Sequence, residues 1–307
     1  MLIDEILHTA KGIKESFDGG ATMKIKEFMA QGVVNFKETS EYTEIFNTRE
    51  SFTGTKLLAE GETPPVAGAI EGYQVSLTAQ RYGLAVEFTE NDYQRAKDST
   101  TMVEEILQSK RNALLVDSVN SLLVAGFGIL NDAIAGATYL CPDGVALCGT
   151  HTWKSTGTTF VNKATVALSS AAVDSALEWA GAMVDAAGHP MPIDLDTIVV
   201  KKGSAAAVMA KKLFAVNIAP TAIADINIYE GAFKIVETPY ITATNKKFWF
   251  MLDSKKGTPL YAGIYKMPAM NDPIKQNSES FRINATGYYK VGINNMPFMF
   301  YGSDGTT

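Results

Sequence analysis

The sequence has 307 residues, 46% of them hydrophobic and 20% charged, which is enough for one large domain or two modest ones with real cores. Its 27 Lys+Arg against 33 Asp+Glu give a formal net charge of −6, excluding the basic surplus of a dedicated nucleic-acid binder. The opening Met1-Leu-Ile-Asp-Glu5 lacks the basic and apolar regions of a signal peptide, and the apolar stretch Ser121 to Ala137 is interrupted by Asn131 and Asp132, so no membrane partner is expected.

Residues 1 to about 45 carry scattered charges and a Gly19-Gly20 break, and read as an irregular arm. From Arg49 to Tyr93 the pattern becomes extended, with the turn-rich Gly61-Glu-Thr-Pro-Pro-Val-Ala-Gly68 in its middle. Tyr73, Val75, Leu77 and Ala79 alternate with polar residues at strand period. Tyr82, Leu84, Val86 and Phe88 resume the alternation on the opposite parity. A shift of one residue turns every side chain to the other face, so the strand must change surroundings near Arg81 to Gly83. This predicts a long projecting hairpin that leaves one body and returns to it, and a bare hairpin needs something to lie against.

A long helix is predicted next, from a capping box at Thr101-Met-Val-Glu104 to Ala125, with Gly126 and Gly128 loosening its end. Asn131 to Lys163 reads as loop. A second helix is capped by Ser169 or Ser170 and stopped by Gly188 and Pro190. Ile198-Val-Val200 reads as a buried strand, and Ser204 caps a third helix to about Ala215. The remainder is largely strand: Ile226 to Val236, Phe248 to Leu252, Leu260 to Tyr265, Phe281 to Ala285 and Tyr288 to Ile293. The fold class is α+β.

The chemistry-bearing residues are sparse. Cys141 and Cys148 lack the spacing of a zinc pair and read as free thiols of a reducing compartment. Cys148-Gly-Thr-His151, with Asp143 nearby, is the best catalytic-looking group, because a thiolate paired with an imidazole is a nucleophile. Its plainer reading is a loop holding a small buried Cys and a hydrogen-bonding His. His189 reads as a residue favoured by a helix C-terminus, and His8 has no evident partner. Three histidines with no carboxylate at ligand spacing predict no metal site. Gly126-x-Gly128 ends a helix and is no dinucleotide fingerprint. Asp194 and Asp196 read as a surface turn, and Lys201-Lys202 and Asp253-Ser-Lys-Lys256 as solvated faces. No catalytic, cofactor-binding or metal residue is assigned, and no cofactor is expected.

One ordered set stands out: Leu147-Cys-Gly-Thr-His151, Asn162, Leu168-Ser169, a helix ending at Asp185-Ala-Ala-Gly188-His-Pro190, Ile198-Val-Val200, then Val236-Glu-Thr-Pro-Tyr240 and Phe248-Trp-Phe-Met-Leu252. With the acidic tip Ala59-Glu-Gly61 and the helix after Thr101, it resembles the major capsid proteins of tailed bacteriophages, most of all the Mu-like head subunits and their prophage relatives. The resemblance covers roughly residues 45 to 305. It implies the Hong Kong ninety-seven fold, with an N-terminal arm (1–47), an extended loop (48–82), a peripheral domain carrying the spine helix (83–135 and 260–307) and an axial domain (136–259). It implies a non-enzymatic virion protein. Such subunits assemble as hexamers and pentamers into an icosahedral head, enclosing double-stranded DNA through weak non-specific contacts. The extended loop of one subunit lies over the peripheral domain of its neighbour. The short lead-in predicts an unprocessed chain and a separate scaffolding protein, beside a portal and a decoration protein. Lys56 lies where some relatives carry a cross-linking lysine. The competing readings are an encapsulin-type nanocompartment shell, a tail or connector protein, and a cysteine hydrolase using Cys148 and His151.

Overall fold

The computed structural model describes residues 25–52, 69–89, 100–215, 229–271, 274–275 and 280–306, with Phe17, Ala21, Met23, Leu58 and Thr63 as isolated positions. Its longest element is helix α1, Thr100–Asp132, 33 residues and therefore about 50 Å long. Leu114, Leu115, Val119, Leu122, Leu123, Phe127 and Leu130 form its buried stripe. Gln108–Asp132 is long and apolar enough to cross a bilayer by length and composition, but half of its most apolar window is buried inside the fold, as in a core helix. The backbone is helical from Thr100, while the side chains of the predicted capping box lie outside the described residues.

The helix does not loosen at Gly126. It continues to Asp132, whose carboxylate accepts the backbone N–H groups of Ala137, Thr138 and Tyr139 at 2.6–2.8 Å. Gly126 serves close packing: an added Cβ would lie 3.4 Å from the Phe36 ring and 3.6 Å from Val34. The arm is therefore not irregular over its described part. Phe17, Ala21 and residues 25–29 have helical backbone, and Phe17, Ala21 and Ile25 are buried at helical spacing. Val33, Val34 and Phe36 follow them into the core beside α1. Gly19-Gly20 obscured this stripe in the sequence.

Among the described residues, most of the other strands lie in two five-stranded sheets. In the first, β1 (Asn35–Glu38) runs parallel to β11 (Leu260–Met270), which pairs antiparallel with β13 (Ser280–Ile293). β13 also takes β4 (Gln80–Thr89) and the short β12 (Ile274–Lys275). Here two predicted strands are one, because β13 runs through Gly287. The missing side chain there admits Pro268, which would stand 3.2 Å from an added Cβ. The α1 stripe packs on this sheet through Ile283, Ala285 and Tyr289, and Ser121 hydrogen-bonds the Tyr289 hydroxyl.

The second sheet has the order β7 (Lys163–Ala164), β14 (Phe300–Ser303), β10 (Trp249–Leu252), β8 (Thr197–Lys201) and β9 (Lys234–Thr238). β14 thus lies apart from β11 and β13, which precede it in sequence. Both faces of this sheet are buried, which accounts for the unbroken apolar runs of β8 and β10. Val199, Phe250, Leu252 and Phe300 face the α1 core. Ile198, Val200, Trp249, Met251 and Tyr301 face helices α2 (Ser170–Ala182) and α3 (Ala205–Phe214). Ser169 and Ser204 cap these helices, accepting from Ala172 and Ala207.

Several sequence expectations shift. β9 begins at Lys234, and the predicted start at Ile226 lies outside the described residues. α2 stops at Ala182, and His189 sits beyond it in a turn where its Nδ1 is 3.3 Å from Asp185 Oδ2, so it is not a helix-terminal residue. Asp253 is buried, not solvated, and its carboxylate accepts from the backbone of Asp194, Lys255 and Lys256. Asp196 accepts from Ser254 N and Oγ, so the Asp194 and Asp196 pair is a clamped turn.

The two α1 glycines predict opposite behaviour. Gly126→Val should cost about 1–3 kcal/mol in urea unfolding, because Phe36 and Val34 must move. Gly128→Ala, with no atom within 4 Å of an added Cβ, should be neutral or stabilise by up to about 1 kcal/mol.

Candidate assembly element

β2 (Thr43–Phe52) and β3 (Ala69–Thr78) form an antiparallel ribbon, and no third strand pairs with it among the described residues. β3 passes into β4 across a single residue, Ala79, which is 1% exposed and donates its N–H to Tyr42 O at 2.8 Å. The parity switch read from the sequence is therefore real: one extended chain leaves the ribbon and enters the first sheet. It occurs at Ala79, slightly before the predicted Arg81 to Gly83.

The root of the ribbon is locked over the outer face of the first sheet. Lys290 of β13 is 1% exposed, and its Nζ lies 3.1 Å from Glu44 Oε2 and donates to Glu41 O at 2.6 Å. Glu44 also accepts from the Tyr261 hydroxyl at 2.6 Å and from Thr39 Oγ1 at 2.9 Å. Burial pushes the Glu44 carboxyl up, but the hydrogen bonds from Tyr261, Lys290 and Thr39 outweigh it and hold it below its ordinary range. Burial and the same carboxylate push the Tyr261 hydroxyl up. Two glycines make room: an added Cβ at Gly263 would meet the Lys290 stem at 2.7 Å, and one at Gly292 would meet Leu77 at 2.5 Å.

Farther out, paired irregularities aim a second anchor. The register shifts between Asn47 and Arg49 and shifts back between Arg49 and Ser51. Thr48 Oγ1 fills the first irregularity, accepting from Tyr73 N at 2.7 Å and donating to Tyr73 O at 3.1 Å. Glu50, 5% exposed, then accepts the backbone N–H groups of Lys154 and Ser155 at 2.8 and 2.7 Å. Lys154 Nζ returns a bond to Gly72 O at 3.0 Å. None of Glu44, Glu50, Thr48 or Lys290 was singled out from sequence. The only available signal was Lys290 alternating with Tyr289 and Val291, which gives its face but not the layer covering it.

The Cys148 and His151 pair does not form a catalytic unit. Cys148 is buried with its Sγ against Gly302, and burial pushes its thiol up, so the thiolate is disfavoured. Both His151 ring nitrogens face other groups: Nδ1 lies 2.9 Å from Asp143 Oδ2 and Nε2 3.3 Å from Leu147 O. Buried Asn162 pins the same loop, donating to Leu147 O and Phe300 O and accepting from Gly149 N. Cys141 is likewise a buried free thiol.

A profile of the family described as phage capsid protein matches residues 72–295. The chain belongs to the phage capsid protein family. It is a capsid structural protein and not an enzyme, so the hydrolase reading falls. Among solved structures, the chain is similar to the subunit of the bacteriophage PhiM1 mature capsid, at 12% identity and TM-score 0.50 over 88% of this chain and 84% of that one. It is also similar to the subunit of the cyanophage Pam1 capsid, at 10% identity and TM-score 0.50 over 88% of each. A chain from Mycobacterium phage Bobi shares 15% identity over 90% of this chain and 89% of that one, with TM-score 0.48. No curated protein sequence matches the chain. The α+β architecture fits the Hong Kong ninety-seven type expected from the sequence.

Two outcomes are expected for this capsid subunit. Because the Glu44 pKa is lowered on folding, its contribution is present above the unfolded value and lost as pH falls through the folded one. Urea titrations across the acid range should therefore show a steeper stability loss for the wild type than for Glu44→Gln. Glu50→Ala removes the acceptor of the Lys154 and Ser155 N–H groups and should cost about 1–2 kcal/mol, read as earlier proteolytic nicking of the ribbon in the folded subunit.

Proposed function

We propose that this subunit assembles as hexamers and pentamers into the icosahedral head of a tailed bacteriophage, enclosing double-stranded DNA. The observation supporting this is the ribbon β2–β3, locked at its root by Lys290 and Glu44 yet paired with no third strand of its own chain among the described residues. Two strands alone are marginal in water, and a second copy supplies the missing surface. Ile45, 61% exposed on the ribbon, is apolar surface of the kind such a contact covers.

In this reading residues 48–82, of which most of 53–68 lies outside the described residues, form the extended loop, lying over the peripheral domain of the neighbour. The first sheet with α1 forms that domain, and it takes in β1 from the arm. The second sheet with α2 and α3 forms the axial domain, and it takes in β14. A separate scaffolding protein, a portal and a decoration protein complete the head, which assembles in the host cytoplasm. The net charge of −6 fits a shell that surrounds DNA without gripping it. Membership of the Mu-like branch rests on the ordered motifs between Leu147 and Val200. Lys56 lies outside the described residues, as does the acidic tip.

The test replaces residues 53–68 by a short turn and images the products by electron microscopy. The full chain, expressed with its neighbouring phage proteins, should form closed shells. The shortened chain should keep its circular-dichroism spectrum and form none. Closed shells from the shortened chain would contradict the proposal, and particles filled with protein cargo would favour the nanocompartment.

A further inference from the structure

The connection between α1 and β5 (Thr150–Thr152) brings together three side chains that the capsid role does not use. Cys141, Asp143 and His151 offer one sulfur, one carboxylate oxygen and one ring nitrogen, all within 4.8 Å of one another. The spacing argument against a metal missed this group because the loop, not a helix face, closes it. The Asp143 and His151 side chains are 2% and 0% exposed, and Cys141 is buried as well.

The hydrogen bonding defines what belongs between them. His151 Nδ1 lies 2.9 Å from Asp143 Oδ2, and Nε2 lies 3.3 Å from Leu147 O. With the ring proton on Nε2, Leu147 O accepts it and Nδ1 offers its lone pair beside the carboxylate. In that tautomer the nitrogen and the oxygen are two donors to one cation. Cys141 lies beside that point with only a 3.9 Å contact from its Sγ to Ala146 O. A carbonyl holding the far nitrogen of a histidine is the usual outer support of a metal ligand. Asp143 is oriented in the same way, its Oδ1 accepting from Val145 N at 3.2 Å and its Oδ2 from Thr152 N at 3.3 Å.

We propose that Cys141, Asp143 and His151 bind one zinc ion, with water as the fourth ligand, stapling the loop after α1 to β5. Sulfur, imidazole and carboxylate together are a zinc donor set, and tetrahedral bonds of about 2.0–2.3 Å set the donors roughly 3.5 Å apart. The Cys141 sulfur moves in, the His151 and Asp143 atoms part from 2.9 Å to that spacing, and the thiol proton leaves to solvent as the thiolate binds. The inference holds whether or not the chain forms heads, since it concerns the folded subunit alone.

The experiment uses the full-length subunit, stripped with chelator and titrated with Co²⁺ as a spectroscopic substitute for zinc. The expected result is roughly one equivalent bound, with thiolate-to-cobalt charge transfer and the strong visible bands of a tetrahedral site. Cys141→Ser should abolish the charge transfer, Asp143→Asn should weaken binding about tenfold or more, and Cys148→Ser should leave the spectrum unchanged. Absence of cobalt bands in the wild type would overturn the proposal, whatever the variants do. So would nitrogen NMR showing both His151 ring nitrogens protonated after zinc is added, since a proton then occupies the position. Charge transfer lost through Cys148→Ser would also overturn it.

Discussion

Everything distinctive in this subunit follows from one extended segment that belongs to two sheets. From Ala69 to Thr89 the backbone is strand except at Ala79. Before that residue it pairs with β2, and after it with β13. A ribbon attached in this way cannot pivot freely, because its strand direction is set by the sheet it enters. The buried Lys290 and Glu44 contact then fixes the height of the ribbon above that sheet. A buried ion pair is weak evidence for stability and better evidence for a defined geometry. Its satisfied shell of Tyr261, Thr39 and the Glu41 carbonyl makes it a positioning device for the projecting ribbon.

The body solves a related problem with its second sheet. Its alternate side chains serve two cores at once, one under α1 and one under α2 and α3. The two helical layers are thereby coupled through β8, β10 and β14. Glu50 ties the ribbon to the Lys154 turn, and that turn adjoins β5 and the Asn162 contacts that reach β14. The anchors of the ribbon and the core of the body are thus continuous.

Much of this was legible in the sequence. The opposite parities of Tyr73 to Ala79 and Tyr82 to Phe88 announced the change of sheet. The unbroken apolar runs Ile198-Val-Val200 and Trp249 to Leu252 announced strands buried on both faces. The misreadings share one cause: the signal depended on an atom missing from the sequence. Gly126 and Gly287 read as breaks, but they admit Phe36 and Pro268. Lys290 was not singled out, because its burial depends on Gly263 and on a layer from a distant segment. The register irregularities that aim Glu50 leave no trace in residue type, and the Asp143 and His151 contact is closed by a loop with no period.

The ribbon is anchored within its own chain at its root and at Glu50, and in the proposed assembly another copy covers its distal end. Amide hydrogen exchange on isolated subunits and on assembled heads tests this most directly. The account predicts that Tyr73 to Ala79 exchange slowly in both forms, while the distal ends of β2 and β3 become protected only in heads. Equal protection of the distal ribbon in both forms would contradict it.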